Sequence, residues 1–264
     1  MQIYRFFVNP KDIGHELVTL TGGEFYHATR VLRQKVGFKI IVCCGDGFDY
    51  ECVIESVEKH ALTAKILQKT INTAQPKIKL NLYVCINKKL DLIVQKAAEL
   101  GAAAVIPVIS ERSEKTADIT RLNRIAVEAC KQCGRADVMK IQAPVIFNDA
   151  CNHVDLIPSG RLNLMCYERE DTANFSSVGI PQRLAIIRRN QTDGVTDTPS
   201  GGVDFVPTVN LFVGSEGGFT DNEAEHAKGQ GVEAVSLGKR ILRAETAAVA
   251  AMTLTMFLAG ELRP

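Results

Sequence analysis

The sequence predicts a small β-barrel unit followed by a larger α/β domain. Three observations lead there. Residues 1–72 hold short strand-like runs at close spacing, separated by turn signals. From Ile78 onward, apolar runs alternate with amphipathic helical segments, the pattern of α/β architecture. Near the C-terminal end, two apolar runs each open into a glycine-containing loop, and open α/β sheets bind ligands at the carboxyl ends of their strands.

Composition bounds the function. The chain has 264 residues, 46% hydrophobic and 23% charged, which suits a soluble protein with a real core. A net charge of +1 gives no global attraction to nucleic acid, so a polyanion must be met by a local patch. No apolar run is long enough for a bilayer span. The first residues, MQIYRFFVNPKD, lack the apolar stretch of a signal peptide, so a cytoplasmic location is expected. Most of the eight cysteines lie in apolar runs, where Cys behaves as a small hydrophobe. Cys130 and Cys133 form a C-x-x-C within a helical stretch and lack the second pair of a zinc site. The five histidines are scattered, so no metal is expected.

In the first unit, Phe6 and Phe7 mark a short strand. Gly22-Gly23 precedes a short helix carrying Phe25, His27, Val31 and Leu32. Phe38 to Cys44 and Tyr50 to Val57 flank Gly45-Asp46-Gly47 as a hairpin, and Leu62 to Leu67 follows. Small barrels of this kind are common nucleic-acid-binding modules. Arg30, Arg33, Lys35 and Lys39 fit either a solvated basic face or a phosphate-contacting patch. Asn72 to Pro76 reads as a linker into the second domain, residues 73–264.

In that domain, Ile78 to Ile86 is a strand. Leu90 to Leu100 is a helix with Leu92, Ile93, Ala97 and Leu100 on one side, stopped by Gly101. Ala104 to Ile109 is a strand, and Ile119 to Cys133 a helix ended by Gly134. On that helix and its exit, Arg121, Arg124, Lys131 and Arg135 fit a positive stripe or an ordinary outer face. Leu162 to Cys166 and Leu184 to Ile187 read as two buried strands. Residues 188–208 are polar, rich in Gly, Pro, Thr and Asp, and read as a flexible surface loop. The last helix, Glu245 to Gly260, is apolar nearly all round and therefore buried, in part against a second subunit.

The chemistry lies between Val209 and Ala248. The run Val209 to Val213 ends in Gly214-Ser215-Glu216-Gly217-Gly218, and Thr220-Asp221-Asn222-Glu223 has capping-box spacing. A short strand, Ala234 to Leu237, leads into Gly238-Lys239-Arg240-Ile241-Leu242-Arg243. Neither the P-loop pattern nor an early G-x-G-x-x-G is present, and Glu216 inside the glycine loop would repel phosphate. The loop suits a cationic ligand or one rich in donors, which S-adenosylmethionine is.

These motifs resemble the RsmE family. V-G-S-E-G-G-F-T followed by L-G-K-R-I-L-R-A-E-T-A-A is similar to that family's paired signature. Asn87 to Asp91 with Gln95 to Gly101, Glu111-Arg112-Ser113, Glu128 to Arg135, and His27 with Arg30 to Arg33 resemble its other segments in order and spacing. The likeness covers nearly the whole chain outside 188–208. Three positions depart from it: Ser215 and Lys239 stand where proline is frequent, and Tyr26 replaces the first of a common histidine pair. A serine at 215 should loosen its loop.

The resemblance implies a PUA-like barrel at 1–72 and a SPOUT domain at 73–264 whose C-terminal chain forms a trefoil knot. It implies a homodimer that uses S-adenosylmethionine to methylate N3 of one uridine in 16S ribosomal RNA of the small subunit. A methyltransferase for another RNA, such as tRNA, and a silent RNA-binding protein are the alternatives. Cys166, Tyr167, Phe212, Gly214, Gly217, Gly218, Leu237, Gly238, Ile241 and Leu242 are the expected cofactor residues. Arg243, Arg240 and Glu216 are the catalytic candidates. The two arginines would stabilise the uridine anion. Glu216 would act as base or hold its loop by accepting backbone N–H bonds. Arg5, His27, Arg30, Arg33 and Lys88 are the RNA-binding candidates.

Overall fold

In this computed structural model, residues 3–155, 161–170, 173–175, 177–192 and 206–262 are described. Contacts divide the chain into two units, Met1–Gln75 with Val127–Val138, and Pro76–Ala126 with Met139–Pro264.

The first unit is a mixed sheet of β1 (Tyr4–Phe7), β2 (Leu17–Thr21), β3 (Lys39–Cys43), β4 (Phe48–Val57) and β5 (Ala61–Ile71), in the order β1-β3-β4-β5-β2. Only β1 and β3 pair in parallel. Alternation buries one face of each strand: Val18 and Leu20, Ile40 and Val42, Cys52 and Ile54, Leu62 and Ala64. Strand β2 was not expected, because Leu17-Val18-Thr19-Leu20-Thr21 is short and two of its five residues are threonine. After β2 the chain forms α1 (Gly22–Tyr26), which runs straight into a π-helical turn, His27–Val31.

A buried ion pair fastens this sheet. Arg5 forks onto Asp49 with N–O distances of 2.6 and 2.8 Å, and Asn72 donates to the same carboxylate at 2.8 Å. Burial alone would raise the Asp49 carboxyl, but Arg5 and Asn72 outweigh it and hold it below the usual carboxylate range. Burial pushes the neighbouring Cys43 thiol up to about 12. Asn72 also donates to the Gly134 carbonyl, and Lys131 pairs with Glu24 at 2.9 Å, which ties Val127–Val138 to this unit.

The second unit opens with β6 (Lys79–Cys85), α2 (Leu90–Glu99), β7 (Ala104–Ile109) and α3 (Ile119–Cys133). Next come β8 (Lys140–Ile141), β9 (Val145–Ile146), α4 (Phe147–Asp155) and β10 (Arg161–Cys166). It closes with α5 (Ile180–Thr192), β11 (Thr208–Val213), α6 (Asp221–Gly229), β12 (Glu233–Val235) and α7 (Ala244–Leu258). The sheet is parallel, in the order β12-β10-β11-β6-β7-β8, with β9 also on β7. All six residues of β11 are buried, as a central strand covered on both faces requires. Three asparagines fix its register. Asn81 donates to Asn210 at 2.9 Å, and Asn210 donates to Asn163 at 2.8 Å, across β6, β11 and β10. After the edge strand β12, the chain returns to α7, which packs on β11, α2 and α5.

Two expectations are corrected here. Leu184 to Ile187 is not a strand but part of α5. Its buried residues Ile180 and Leu184 are four apart while Ile186 is exposed, which is helical periodicity that a four-residue apolar run conceals. The loop placed at 188–208 is shorter at both ends, since 188–192 are helical and Thr208 begins β11; residues 193–205 lie outside the described residues. Three of the four cations proposed as a stripe are neutralised: Arg121 pairs with Asp91, Lys131 with Glu24 and Glu128, and Arg135 with Asp137. Among the described residues, no His/Cys/Asp/Glu group could hold a metal, and no helix is long and apolar enough to cross a membrane.

Candidate active site

Strands β10, β11 and β12 are neighbours and parallel, so their carboxyl ends lie on one edge of the sheet. Each end delivers a loop. The loops enclose a cleft of about 800 Å³, within the roughly 300–1,000 Å³ of small-molecule sites.

The first wall is 214–218, after β11. Gly218 adopts φ +65°, a left-handed conformation that favours glycine, and its N–H closes a turn onto the Ser215 carbonyl at 3.0 Å. Gly214 packs against the far side of that turn. A Cβ there would lie 3.2 Å from both Cα and C of Gly218. Ser215 does not loosen the loop. Its hydroxyl donates to the Arg112 carbonyl at 2.9 Å, and the Arg112 guanidinium donates back to the Gly217 carbonyl at 2.9 Å. Behind this wall, the capping box at Thr220 is complete, and Glu223 serves two segments. One carboxylate oxygen accepts the Thr220 N–H at 2.9 Å, the other the Glu111 N–H at 2.8 Å. The buried Glu223 therefore locks the turn after β7 to the start of α6.

The second wall is the stretch 236–242 after β12. Gly238 has φ +103°, and its N–H meets the Ser236 hydroxyl at 3.2 Å. Lys239 and Arg240 are exposed, and Ile241 is 88% exposed, an aliphatic side chain standing open at the cleft.

The third wall begins at Cys166, at the end of β10. Burial pushes its thiol up to about 12, away from the thiolate form. The Tyr167 N–H bonds the Val235 carbonyl at 3.1 Å. Its hydroxyl donates to Asp221 at 2.5 Å, and Arg169 holds both oxygens of that carboxylate at 2.7 Å. Tyr167 and then Arg169 keep the Asp221 carboxyl below the usual carboxylate range. The same hydrogen bond raises the phenol of Tyr167. The third wall is thus pinned to the N-terminus of α6.

The structure brings most of the candidates together. Cys166, Tyr167, Gly214, Glu216, Gly217, Gly218, Leu237, Gly238, Arg240, Ile241 and Leu242 all line the cleft. Phe212 does not. Its ring is fully buried, stacked on Tyr83 at 4.5 Å and edge-on to Phe147, because the pleat turns it away from the face of its neighbour Val213. Arg243 is the N-cap of α7, exposed beside the cleft and outside its lining. Glu216 is exposed and accepts no hydrogen bond among the described residues, so Arg112 and Ser215 hold the loop instead.

Among the RNA-binding candidates, Arg5 is withdrawn. Its side chain is 9% exposed and fully engaged by Asp49. His27 lies edge-on to Phe6, with the Lys131 ammonium 3.4 Å from its Nδ1. Arg30, Arg33 and Lys88 are exposed, and Arg33 has φ +52° at the exit from the π-turn. Sequence reasoning missed Arg112, Asp221 and Glu223 as the braces of the site, and Glu168 as part of its lining. Only the capping-box spacing of Glu223 was a readable signal.

Comparison with known proteins agrees with this architecture. Residues 73–256 match the RNA methyltransferase domain model, and residues 20–67 match the RNA methyltransferase PUA domain model. The chain is 28% identical over 258 residues to ribosomal RNA small subunit methyltransferase E of Bacillus subtilis, covering 93% of this chain and 91% of that protein. It is 29% identical over 254 residues to the Synechocystis protein of the same name, covering 94% and 76%. The crystal structure of the Neisseria gonorrhoeae ribosomal RNA small subunit methyltransferase E bound to S-adenosyl methionine superimposes with a TM-score of 0.78 at 29% identity, over 97% of this chain and 98% of that one.

Proposed function

The chain belongs to the RNA methyltransferase family, and on that premise we propose that it methylates N3 of one uridine in 16S ribosomal RNA, using S-adenosylmethionine. The observation that carries the reading is the cleft where three strand-end loops meet.

The cleft fits the cofactor. Gly214, Gly217 and Gly218 bring bare backbone to one wall, where added Cβ atoms would meet neighbours at 3.2 Å or closer. Leu237, Ile241 and Leu242 offer apolar cover on the other, with Cys166 and Tyr167 between. When bound, the cofactor supplies an electrophilic methyl group. The protein's own task is orientation and charge. Uridine N3 carries a proton and becomes nucleophilic once that proton leaves. Arg240 and Arg243 stay charged and present forked donors to the resulting anion. Glu216, which accepts none of the loop's hydrogen bonds among the described residues, is the candidate to take the proton.

The exposed Arg30, Arg33 and Lys88 are the phosphate contacts of this reading, with rRNA or the small subunit as partner. The path from β12 back to α7 against β11 supports a trefoil knot. A homodimer is supported by Leu254 and Phe257, which stand 39% and 48% exposed on α7. The reaction takes place in the cytoplasm. Two measurements test the proposal. Calorimetry with S-adenosylmethionine should give a saturable one-site isotherm; its absence with folded protein refutes the enzyme reading. Mass mapping of 16S rRNA from cells with and without the gene should show one N3-methyluridine lost; an unchanged map refutes the substrate.

A further inference from the structure

Glu168 is a carboxylate with no assigned task. It follows Tyr167 on the third wall, in a turn closed by the Glu170 N–H onto the Tyr167 carbonyl at 3.2 Å. Both neighbours are anchored, Tyr167 to Val235 and Asp221, and Arg169 to Asp221. The backbone carrying Glu168 is therefore tethered on both sides, and its exposed side chain lines the cleft. A Cβ on Gly218 would fall 2.3 Å from Oε1, 3.0 Å from Cδ and 3.0 Å from Oε2 of Glu168. The carboxylate lies against the one left-handed glycine of the first wall, where any side chain would displace it. Its charge acts on the adjacent Arg169 guanidinium and Tyr167 hydroxyl, and among the described residues it forms no hydrogen bond. Of the other acids of the cleft, Glu170 pairs with Lys228 at 3.7 Å and accepts the Ala173 N–H at 3.4 Å, while Glu216, equally exposed, has no carboxylate contact across to the opposite wall among the described residues.

The second wall brings Lys239 and Arg240 to the cleft. Left alone, these cations would oppose binding of a positively charged molecule. A carboxylate on the third wall, with Glu170 and Glu216 also in the lining, offsets that positive charge. Its pinned backbone lowers the entropy lost when it engages a partner.

Resting on the cofactor reading above, we infer that Glu168 is the specificity-determining residue that recognises a cationic group of S-adenosylmethionine, its sulfonium or its α-ammonium. A carboxylate–onium contact is a charge-assisted interaction, stronger than the neutral contacts of the other walls. Glu168 thus selects the cofactor by charge while backbone and apolar groups select it by shape.

The test is calorimetry on wild type and Glu168→Gln, which keeps size and removes charge. Three probes are used: S-adenosylmethionine, S-adenosylhomocysteine, which keeps the ammonium and lacks the sulfonium, and methylthioadenosine, which has neither. The glutamine variant should weaken S-adenosylmethionine by about tenfold or more and leave methylthioadenosine unchanged. Unchanged S-adenosylhomocysteine then assigns the contact to the sulfonium, and parallel weakening assigns it to the ammonium. The inference is overturned if S-adenosylmethionine binds the variant as tightly as wild type. It is equally overturned if methylthioadenosine weakens as much, because the role is then one of shape. A wild-type protein that fails to bind S-adenosylmethionine overturns the cofactor reading itself.

Discussion

Replacing Gly214 with alanine perturbs the cleft in the most defined way. The new methyl would lie 3.2 Å from Cα and C of Gly218 and 3.4 Å from the Phe219 nitrogen. Ordinary carbon contacts begin near ~3.5 Å, so the turn must open by a few tenths of an ångström. What it meets is backbone, held by the Gly218-to-Ser215 hydrogen bond and by Arg112, and backbone yields poorly. Overpacking of this kind costs about 1–3 kcal/mol. If the loop stays closed, that cost appears as lost stability. If it opens, cofactor affinity falls by roughly 5- to 150-fold. Gly217→Ala is the control. Its methyl would meet Cβ of Arg112 at 3.2 Å and Cδ at 3.3 Å, atoms of one exposed side chain and not the packed backbone of the turn. Urea melts and cofactor calorimetry on both variants give the sum of the two losses. A Gly217→Ala cost equal to that of Gly214→Ala would refute the reasoning from backbone crowding.

The remaining predictions concern the braces of the site, the first sheet and the reacting end of the cleft. Glu223→Ala leaves the Glu111 and Thr220 N–H groups without their acceptor and should cost about 2–5 kcal/mol in urea melts; a loss below about 1 kcal/mol would show that water replaces the carboxylate. Asp49 has a depressed carboxyl, so its stabilising contribution is complete above its unfolded value of about 4 and is lost as pH falls through the folded value. Asp49→Asn should therefore flatten the acid limb of stability against pH below about 4; an unchanged slope there counts against the Arg5 pair as its source. Arg243→Ala should keep cofactor affinity, since the side chain lies outside the cleft lining, and lose turnover by about 100-fold or more. Loss of cofactor binding in that variant would mean that Arg243 holds the loop instead.

Much of this architecture is written locally. The longer strands of the parallel sheet are rich in apolar residues, and Thr220 with Glu223 announces its helix by spacing alone. What was not legible is non-local or too short. Strands β8 and β9 have two residues each, below any periodicity. Helix α4 buries Phe147, Ala150, Cys151 and Val154 within nine residues, too few turns to declare a stripe. Arg5 looks like a free cation until Asp49, 44 positions away, is placed beside it. Phe212 is one residue from the cleft in sequence and on the opposite face in space. Ser215, expected to weaken its loop, gains a tether from Arg112 that its own loop does not reveal. Glu168 stands 50 positions before Gly218, and only the fold brings them together.

The central claim is that this cleft delivers a methyl group to a uridine of small-subunit ribosomal RNA. Its most direct test is reconstitution. Purified protein is incubated with isotopically labelled S-adenosylmethionine and with small subunits from cells lacking the gene, and the nucleosides are identified by mass spectrometry. Label should appear in 3-methyluridine, at one 16S position, and approach one methyl per subunit. Label on another nucleoside, or none with folded protein that binds the cofactor, would contradict the account.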